Sequence, residues 1–530
     1  MSIDKLFING SIYTMTAENQ KVEAMGVKGD KIAFVGSTKE ALEFKGSSDM
    51  EVVDLYQRTI LPGLTDSHLH LYAHCKNLED VNLETARSIN DVITFMKNKV
   101  SEKVQGKWIK GANFDDAKFI EGRMPTKTDL DKISTTHPII IRRVCLHVVC
   151  ANSLALKLAG IVKGYQPEVK GTVEFDGEGE PTGIVRERSI KVFDQIIPDT
   201  FSTLGERKEA ISKVLEDMAS KGLTSVHTYA AKIWKFEENI EIYRQLEKEG
   251  SLPIRVLVCL DELYEKENQD IIQMSKVSYG SYKIFIDGSL GARSAALLEP
   301  YSDDPGNSGI LLCTQEELYI KMRKGYENGM QLAMHAIGDM ALDAAVTSIE
   351  EILKEFPYNG QRFRIIHAQL INGNLLGRMK KLPIVLDIQP RFLNTDLHWL
   401  EDRLGKSRST KAYTWKTMMD EGIILAGGSD SPVESYNPFK GVYCAITRQN
   451  DTGYPQGGWH PEEKLSVYQA LSLFTKNSAY TTGEETIKGT LEPGKLADFI
   501  MIDRDPFIIE PLDVLNTKVL KTFVGGIQVY

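Results

Sequence analysis

No run of eighteen apolar residues occurs anywhere in the chain, so nothing in it reads as a membrane-spanning helix. The opening residues, MSIDKLFINGSIYTM, lack the basic-then-apolar order of a secretory signal, and the expected location is cytoplasmic. Cysteine is scarce. The six residues Cys75, Cys145, Cys150, Cys259, Cys313 and Cys444 are scattered, without the close pairs that thiolate metal sites use. They read as mostly reduced, buried thiols. There is no basic tract either: 63 Lys and Arg stand against 73 Asp and Glu, a formal charge of −10, which argues against nucleic acid as a partner. Neither a Gly-x-Gly-x-x-Gly fingerprint nor a P-loop is present, which removes the common nucleotide cradles. The expected partner is a small-molecule substrate, with neither nucleic acid nor membrane, and a homodimer would be unsurprising. What is present is the 42% hydrophobic, 26% charged make-up of an ordinary globular chain,, and ten unevenly placed histidines.

Short β-type runs joined by Asn-Gly and Gly-Asp turns open the chain: KLFINGSIYTM, KVEAMGVKGDKIAFVG and EVVDLYQRTILPG,. The same texture returns near the end in GTLEPGKLADFIMIDRDPF and VLKTFVGGIQVY. The two ends therefore predict one small β-sandwich domain, residues 1–60 with 486–530, around an inserted α/β domain,. Inside it lie eight candidate parallel strands: LTDSHLH, LTSVHTY, IRVLVCL, YKIFIDG, QLAMHAIG, RFRIIHAQ, IVLDIQP and IILAGGSD. Seven are short, mostly apolar runs suited to a buried parallel sheet, with polar residues gathered at their C-terminal ends. Helical stretches such as ERKEAISKVLEDMASKG separate them. The prediction is an α/β fold, a TIM-like (β/α)8 barrel over 61–440, with chemistry at the C-terminal ends of its strands,. A doubly wound sheet is the competing arrangement. Residues 441–485 read as a helical and loop connection.

Residues about 75–215 are too long for one crossover helix. They hold the strand-like PIIIRRVCLHVVC, the helix-like ANSLALKLAG and the turn-rich EFDGEGEPTG. This large insertion after the first strand is expected as a lid-like part of the pocket, with a separate domain as the alternative.

Three histidines crowd into LPGLTDSHLHLYAHC, residues 61–75. Asp66, His68 and His70 alternate along a strand and so point to one side. His68 and His70 can then grip one ion, although the same spacing suits a strand that is merely histidine-rich. Other strand ends add His335 in HAIGD, His367 in IIHAQ and Asp430 in GGSDSP. YKIFIDG offers Lys283 near its start and Asp287 further along. These nitrogen and oxygen donors suit zinc and its neighbours. Polar groups inside an apolar barrel are costly unless satisfied, which favours a shared purpose over chance. His227, late in LTSVHTY, faces the pocket by position, as a hydrogen-bonding group or a satisfied core histidine. His74 falls in the first loop with no assigned role.

Taken in order, PGLTDSHLHL, GEPTGIVRE, GLTSVH, KIFIDGSLGAR, HAIGD, HAQ, GGSD and GTLEPGKLADFIMID resemble the amidohydrolase superfamily. The resemblance is to its YtcJ-like, amidohydrolase 3 branch, which includes proteins similar to N-substituted formamide deformylase, and it covers nearly the whole chain. It implies His68 and His70 as metal ligands on the first strand and His335 and His367 as ligands on the fifth and sixth. It implies Lys283 as a lysine that many members carboxylate to bridge two ions, and Asp430 as a metal contact and proton shuttle. It also implies an insertion between the first and second strands. An unmodified Lys283 is cationic and would repel divalent ions; the alternative is an amine paired with Asp287 and a mononuclear site.

Arg293, in the SLGAR run, could hold a substrate carboxylate or carbonyl with its planar fork, or form a loop salt bridge. His147 and Asn152 in HVVCANS, and Glu187 after GEPTGIVR, are candidate substrate contacts. Asp66 is a candidate support for a ligand histidine rather than a ligand, and Asp287 is grouped with it. The expected reaction is hydrolysis of an amide-type C–N bond, N-acyl or N-formyl, by a metal-activated water. Asp430 would act as base and then acid, with His367 or His227 beside the oxyanion. The cofactor is a divalent metal, zinc foremost, as one ion, or two if Lys283 is carboxylated. Deamination or cyclic-amide hydrolysis at the same site, and metabolite binding or regulation without turnover, are the alternatives.

Overall fold

The computed structural model describes residues 3–44, 50–102, 104–144, 148–166, 171–201, 203–231, 236–263 and 276–530. All eight expected strands form one parallel sheet. In chain order they are β1 (Leu64–Leu69), β2 (Leu223–Ala230), β3 (Arg255–Leu260), β4 (Val277–Phe285), β5 (Leu332–Ala336), β6 (Phe363–His367), β7 (Ile384–Ile388) and β8 (Ile424–Gly427). Each pairs in parallel with the next. A doubly wound sheet would reverse its strand order midway; here spatial order follows chain order throughout.

Beyond β8 the chain returns to β1. Asp430 N–H donates to the His68 carbonyl (2.8 Å) and His70 N–H to the Ser431 carbonyl (2.8 Å). The two ends of the sheet thus meet, as in a (β/α)8 barrel. Gly428 makes that meeting possible: a Cβ there would lie 2.7 Å from His68 N and 3.1 Å from Asp66 Oδ1. Strands such as RVLVCL and IVLDI are almost wholly buried, as strands covered on both faces must be. Helix Asp339–Glu355, after β5, buries Ala341, Leu342, Ala345, Ile349 and Ile352, the three-and-four spacing of an apolar helix face. Helix Gln315–Glu327, after β4, starts at Thr314 with a capping box closed by Glu317,.

β4 departs from expectation at its start. It begins at Val277, so Lys283 lies close to its C-terminal end. The leading VSYGS is polar and glycine-bearing and hides the first half of the strand.

Both chain ends build a second layer. Its six-stranded sheet runs Ile527–Gln528, Val519–Val524, Phe499–Ile502, Thr59–Pro62, Ser11–Tyr13 and Lys21–Val22. Thr59–Pro62 pairs antiparallel with Phe499–Ile502, joining start and finish. A four-stranded sheet of Lys31–Gly36, Ala24–Lys28, Lys5–Ile8 and Glu51–Asp54 shares a core with it through Phe7, Met25, Ile60, Phe499 and Phe523. Phe7 stands edge-on to Phe499 at 5.1 Å,. Arg255, opening β3, holds Asp498 with both prongs (2.7 and 3.0 Å), so sandwich and barrel lie in one compact unit, Met1–Tyr72 with Lys208–Tyr530.

Ala73–Arg207 form the other compact unit. Its sheet runs Gly171–Phe175, Pro181–Glu187, Val148–Ala151, Ile139–Arg143, Ile109–Phe114 and Val81–Asn82. Alternate residues serve different cores. Ile139, Ile141, Val148 and Cys150 join Val92 and Met96 of helix Ile89–Val100. Ile140, Val149 and Ala151 join Leu156 and Phe193. A sheet covered on both faces has the anatomy of a small domain.

His74, expected in a loop, lies in helix Leu71–Asn77. Cys75, Cys150, Cys259 and Cys444 are buried free thiols. Among the described residues no helix is long and apolar enough to cross a membrane.

Candidate metal centre

Strand ends carry the polar side chains of the barrel. His68 lies on β1 with His70 just beyond it, His335 lies on β5, His367 closes β6, and Asp430 follows β8. One ligand atom each of His68, His367 and Asp430 fall within 4.8 Å of one another. Asp430 Oδ1 is 3.3 Å from His68 Nε2 and 3.0 Å from His70 Nε2. Lys283 Nζ lies 3.4 Å from His68 Nε2. The rings of His335 and His367 meet edge to face with centroids 4.5 Å apart. The structure thus gathers all six side chains expected as ligands, with His68, His367 and Asp430 as the tightest set.

Burial dictates their charge. It pushes the imidazoles of His68 and His367 well below the ordinary range, helped by Lys283 at His68 and by His335 at His367. Both are neutral, with a lone pair to give. Burial acts to raise Asp430, but hydrogen bonds from His68 and His70 prevail and hold it well below the usual carboxylate range. Burial brings the Lys283 ammonium down to about 7 against the pull of Asp430. Two neutral nitrogens and an anionic oxygen converging away from water are the donors a divalent ion such as zinc requires. The residues fit the ion, and a divalent-metal-binding site of His68, His367 and Asp430 is present.

Around this set lie groups that hold main chain. Asp66 accepts the backbone N–H of His68 (3.1 Å) and of Ser429 (3.0 Å). It supports a ligand residue through its backbone rather than its ring. Burial raises its carboxyl to about 7 in spite of the Ser429 and His68 bonds. Asp287 accepts N–H groups from Ala296 (3.0 Å), Ile337 (3.0 Å) and Gly338 (2.9 Å), and its Oδ1 lies 3.5 Å from His335 Nε2. It pins the segments after β4 and β5, while the Lys283 amine faces His68.

Buried His227 on β2 is pushed well below the ordinary imidazole range by burial, then by Arg364 and Lys488. Arg293 sets its fork on Asp303 (3.1 and 2.9 Å), the loop salt bridge that was its alternative. Asn152 caps helix Ser153–Leu158. Its oxygen accepts from Ile139 (3.0 Å) and Ala155 (2.9 Å), and its nitrogen donates to the Ser134 and His137 carbonyls (2.9 Å each). Glu187 ends the strand Pro181–Glu187 with φ at +55°. His147 lies outside the described residues.

Four groups escaped the sequence reading. Gln389 meets His367 Nδ1 at 2.7 Å. Tyr229 stands edge-on to His70 at 5.3 Å, and Phe392 lies parallel to His367 at 5.9 Å. Arg364 crosses the barrel core from β6 to Asp387 on β7 (2.9 Å), Ser281 on β4 (3.1 Å) and the Ser67 carbonyl on β1 (2.8 Å). The strand-end rule that found His367 also covers Gln389 in IVLDIQ, and Arg364, set between apolar residues in FRIIH, was a visible sign of a core ion pair.

A parallel barrel whose strand ends present a His/His/Asp metal set defines a metal-dependent enzyme of the barrel class. Residues 51–530 match the model of the amidohydrolase family, and the chain belongs to that family. It is 33% identical over 524 residues to the YtcJ protein of Bacillus subtilis (strain 168), covering 98% of each chain. It is 26% identical over 550 residues to N-substituted formamide deformylase of Arthrobacter pascens, covering 99% of this chain and 98% of that one. The crystal structure of a metal-dependent hydrolase from Pyrococcus horikoshii OT3 is similar with a TM-score of 0.76 and 31% identity, covering 96% of this chain and 99% of that one.

Proposed function

We propose that this chain hydrolyses an amide-type C–N bond in a small N-acyl or N-formyl compound, with zinc as the resident ion. The observation that carries the reading is the convergence of His68, His367 and Asp430 within 4.8 Å at strand ends where barrel enzymes meet their substrates. Family membership and the likeness to N-substituted formamide deformylase support a C–N bond over other targets. A divalent ion in this set would polarise a carbonyl and lower the pKa of a water that it binds.

The protein's own groups do the rest. His68 and His367, both neutral, give nitrogen lone pairs. Asp430, ionised between His68 and His70, takes the proton of the attacking water and later hands it to the departing nitrogen. His227, neutral in the core, is the reserve hydrogen-bonding group for the oxyanion. Lys283, with an ammonium that titrates at about 7, has a neutral amine available to add to carbon dioxide. That step gives a carbamate, releases a proton, and turns a repelling cation into an anionic ligand for a second ion.

The test is amine release from a panel of N-acyl and N-formyl compounds by protein of known metal content. Asp430→Asn, whose amide oxygen can still meet the ion, should lower turnover by about 10²- to 10⁴-fold in protein kept loaded at saturating zinc. Near-normal turnover in that variant would overturn the role, and ammonia release without an acid product would assign deamination instead.

A further inference from the structure

We propose that Gln389 is a positioning residue for the metal centre: its amide oxygen fixes His367 with hydrogen on Nδ1 and so commits Nε2 to the ion. The inference rests on the metal reading above and adds the group that enforces it.

His367 Nδ1 and Gln389 Oε1 are 2.7 Å apart, both residues buried. The orientation of the amide follows from its other end. Gln389 Nε2 lies 3.1 Å from the Asp387 carbonyl oxygen. Only the NH₂ group can face a carbonyl there, since a reversed amide would set oxygen against oxygen. The oxygen therefore faces the ring, and an amide oxygen only accepts. Nδ1 must carry the hydrogen, and in a neutral imidazole that leaves Nε2 as a bare lone pair.

Two further observations show a ring under constraint. His367 has φ at +80° and Ala368 at +46°, a region that residues other than glycine seldom occupy and that collects at functional sites. Phe392 lies nearly parallel to the imidazole, 16° off with centroids 5.9 Å apart. The ring is therefore held at its Nδ1 edge and through its backbone, with Phe392 alongside.

The support continues inward. Asp387, whose carbonyl receives the Gln389 amide, receives Arg364 on its side chain (2.9 Å). Arg364 in turn donates to the Ser67 carbonyl (2.8 Å), next to His68. One line of hydrogen bonds thus runs from one imidazole ligand to the residue beside the other. The acceptor is also neutral. An amide draws on the Nδ1 proton less than a carboxylate would, which leaves the imidazole a weaker donor and the ion a stronger Lewis acid.

The test is zinc affinity rather than activity. Wild-type protein, Gln389→Met and Gln389→Glu are stripped of metal, checked for folding by circular dichroism, and titrated with zinc against a chromogenic chelator. Gln389→Met, which removes the acceptor at similar volume, should weaken zinc about 10- to 100-fold. Gln389→Glu, as the neutral acid, keeps an oxygen facing Nδ1 and offers an O–H to the Asp387 carbonyl, and should recover affinity toward the wild-type level. If the methionine variant does not fold, Gln389→Asn withdraws the oxygen by one methylene and carries the same expectation. Wild-type affinity in a folded Gln389→Met, or a loss that glutamate does not recover, would overturn the role. A wild-type protein that takes up no zinc would instead overturn the metal reading and this inference with it.

Discussion

Lys283 carries the choice between one ion and two. Its ammonium comes down to about 7 because burial outweighs Asp430. Below that pH the amine is protonated and cannot add to carbon dioxide; above it the neutral form prevails. Metal stoichiometry should therefore rise from one ion toward two between pH 6 and pH 8 in bicarbonate buffer, and Lys283→Ala should bind one ion throughout. Elemental analysis after gel filtration decides this, and a wild-type stoichiometry indifferent to bicarbonate would rule the carbamate out. Arg293 has the opposite lesson. Its fork is taken by Asp303 in an exposed setting worth about 0–1 kcal/mol. Arg293→Ala should shift KM by less than about threefold, whereas a hundredfold rise, about 2.7 kcal/mol, would put the guanidinium on substrate. At this scale the ionisable ligands were legible, because a histidine or aspartate ending an apolar strand stands out. Gln389 did not stand out, being uncharged, and two of the partners of Asp66 are main-chain groups that leave no mark on composition.

Among the elements, the seam between β1 and β8 links fold to site. Gly428 lies so close to His68 that an added methyl must displace the strand. Gly428→Ala should cost about 1–3 kcal/mol of stability, the range for overpacking, and loosen metal as well. Chemical denaturation with zinc titration measures both, and an unchanged variant would deny the seam its role. The short helix Leu393–Asp396 supplies a pH test. Burial, with Glu434 adding and the Tyr413 hydroxyl opposing, raises Asp396 to about 7. The folded state thus holds this proton more tightly than the unfolded chain, whose carboxyl titrates near 4. Its contribution is full below about pH 4 and is lost as pH rises to about 7. Asp396→Asn should flatten that part of the stability profile and gain on wild type above pH 7. Equal pH slopes in thermal unfolding would contradict this. All eight barrel strands were legible, seven of them as apolar runs. The start of β4 was missed, because VSYGS carries a polar, loop-like signal although Val277, Ser278 and Tyr279 pair with Val256, Leu257 and Val258 of β3 before the register shifts.

For the molecule as a whole, the arrangement of a barrel with a sandwich built from both ends could be read from two textures, short β runs at the termini and strand–helix alternation between. The inner organisation of Ala73–Arg207 could not. Its strands alternate apolar residues toward two separate cores, so runs such as IIIRR carry no facing signal, and the pairing order of its sheet follows from contacts distant in sequence. The metal set ties β1, β6 and the segment after β8 together, so an ion bound there should stabilise the folded barrel. His68, His367 and Asp430 are the groups proposed to hold that ion. An anomalous difference map at the zinc edge, from crystals of protein carrying stoichiometric zinc, tests this assignment most directly. A peak is expected about 2.0–2.2 Å from an imidazole nitrogen of His68, one of His367 and an oxygen of Asp430. Zinc bound at another place, with these three side chains making no contact to it, would contradict it.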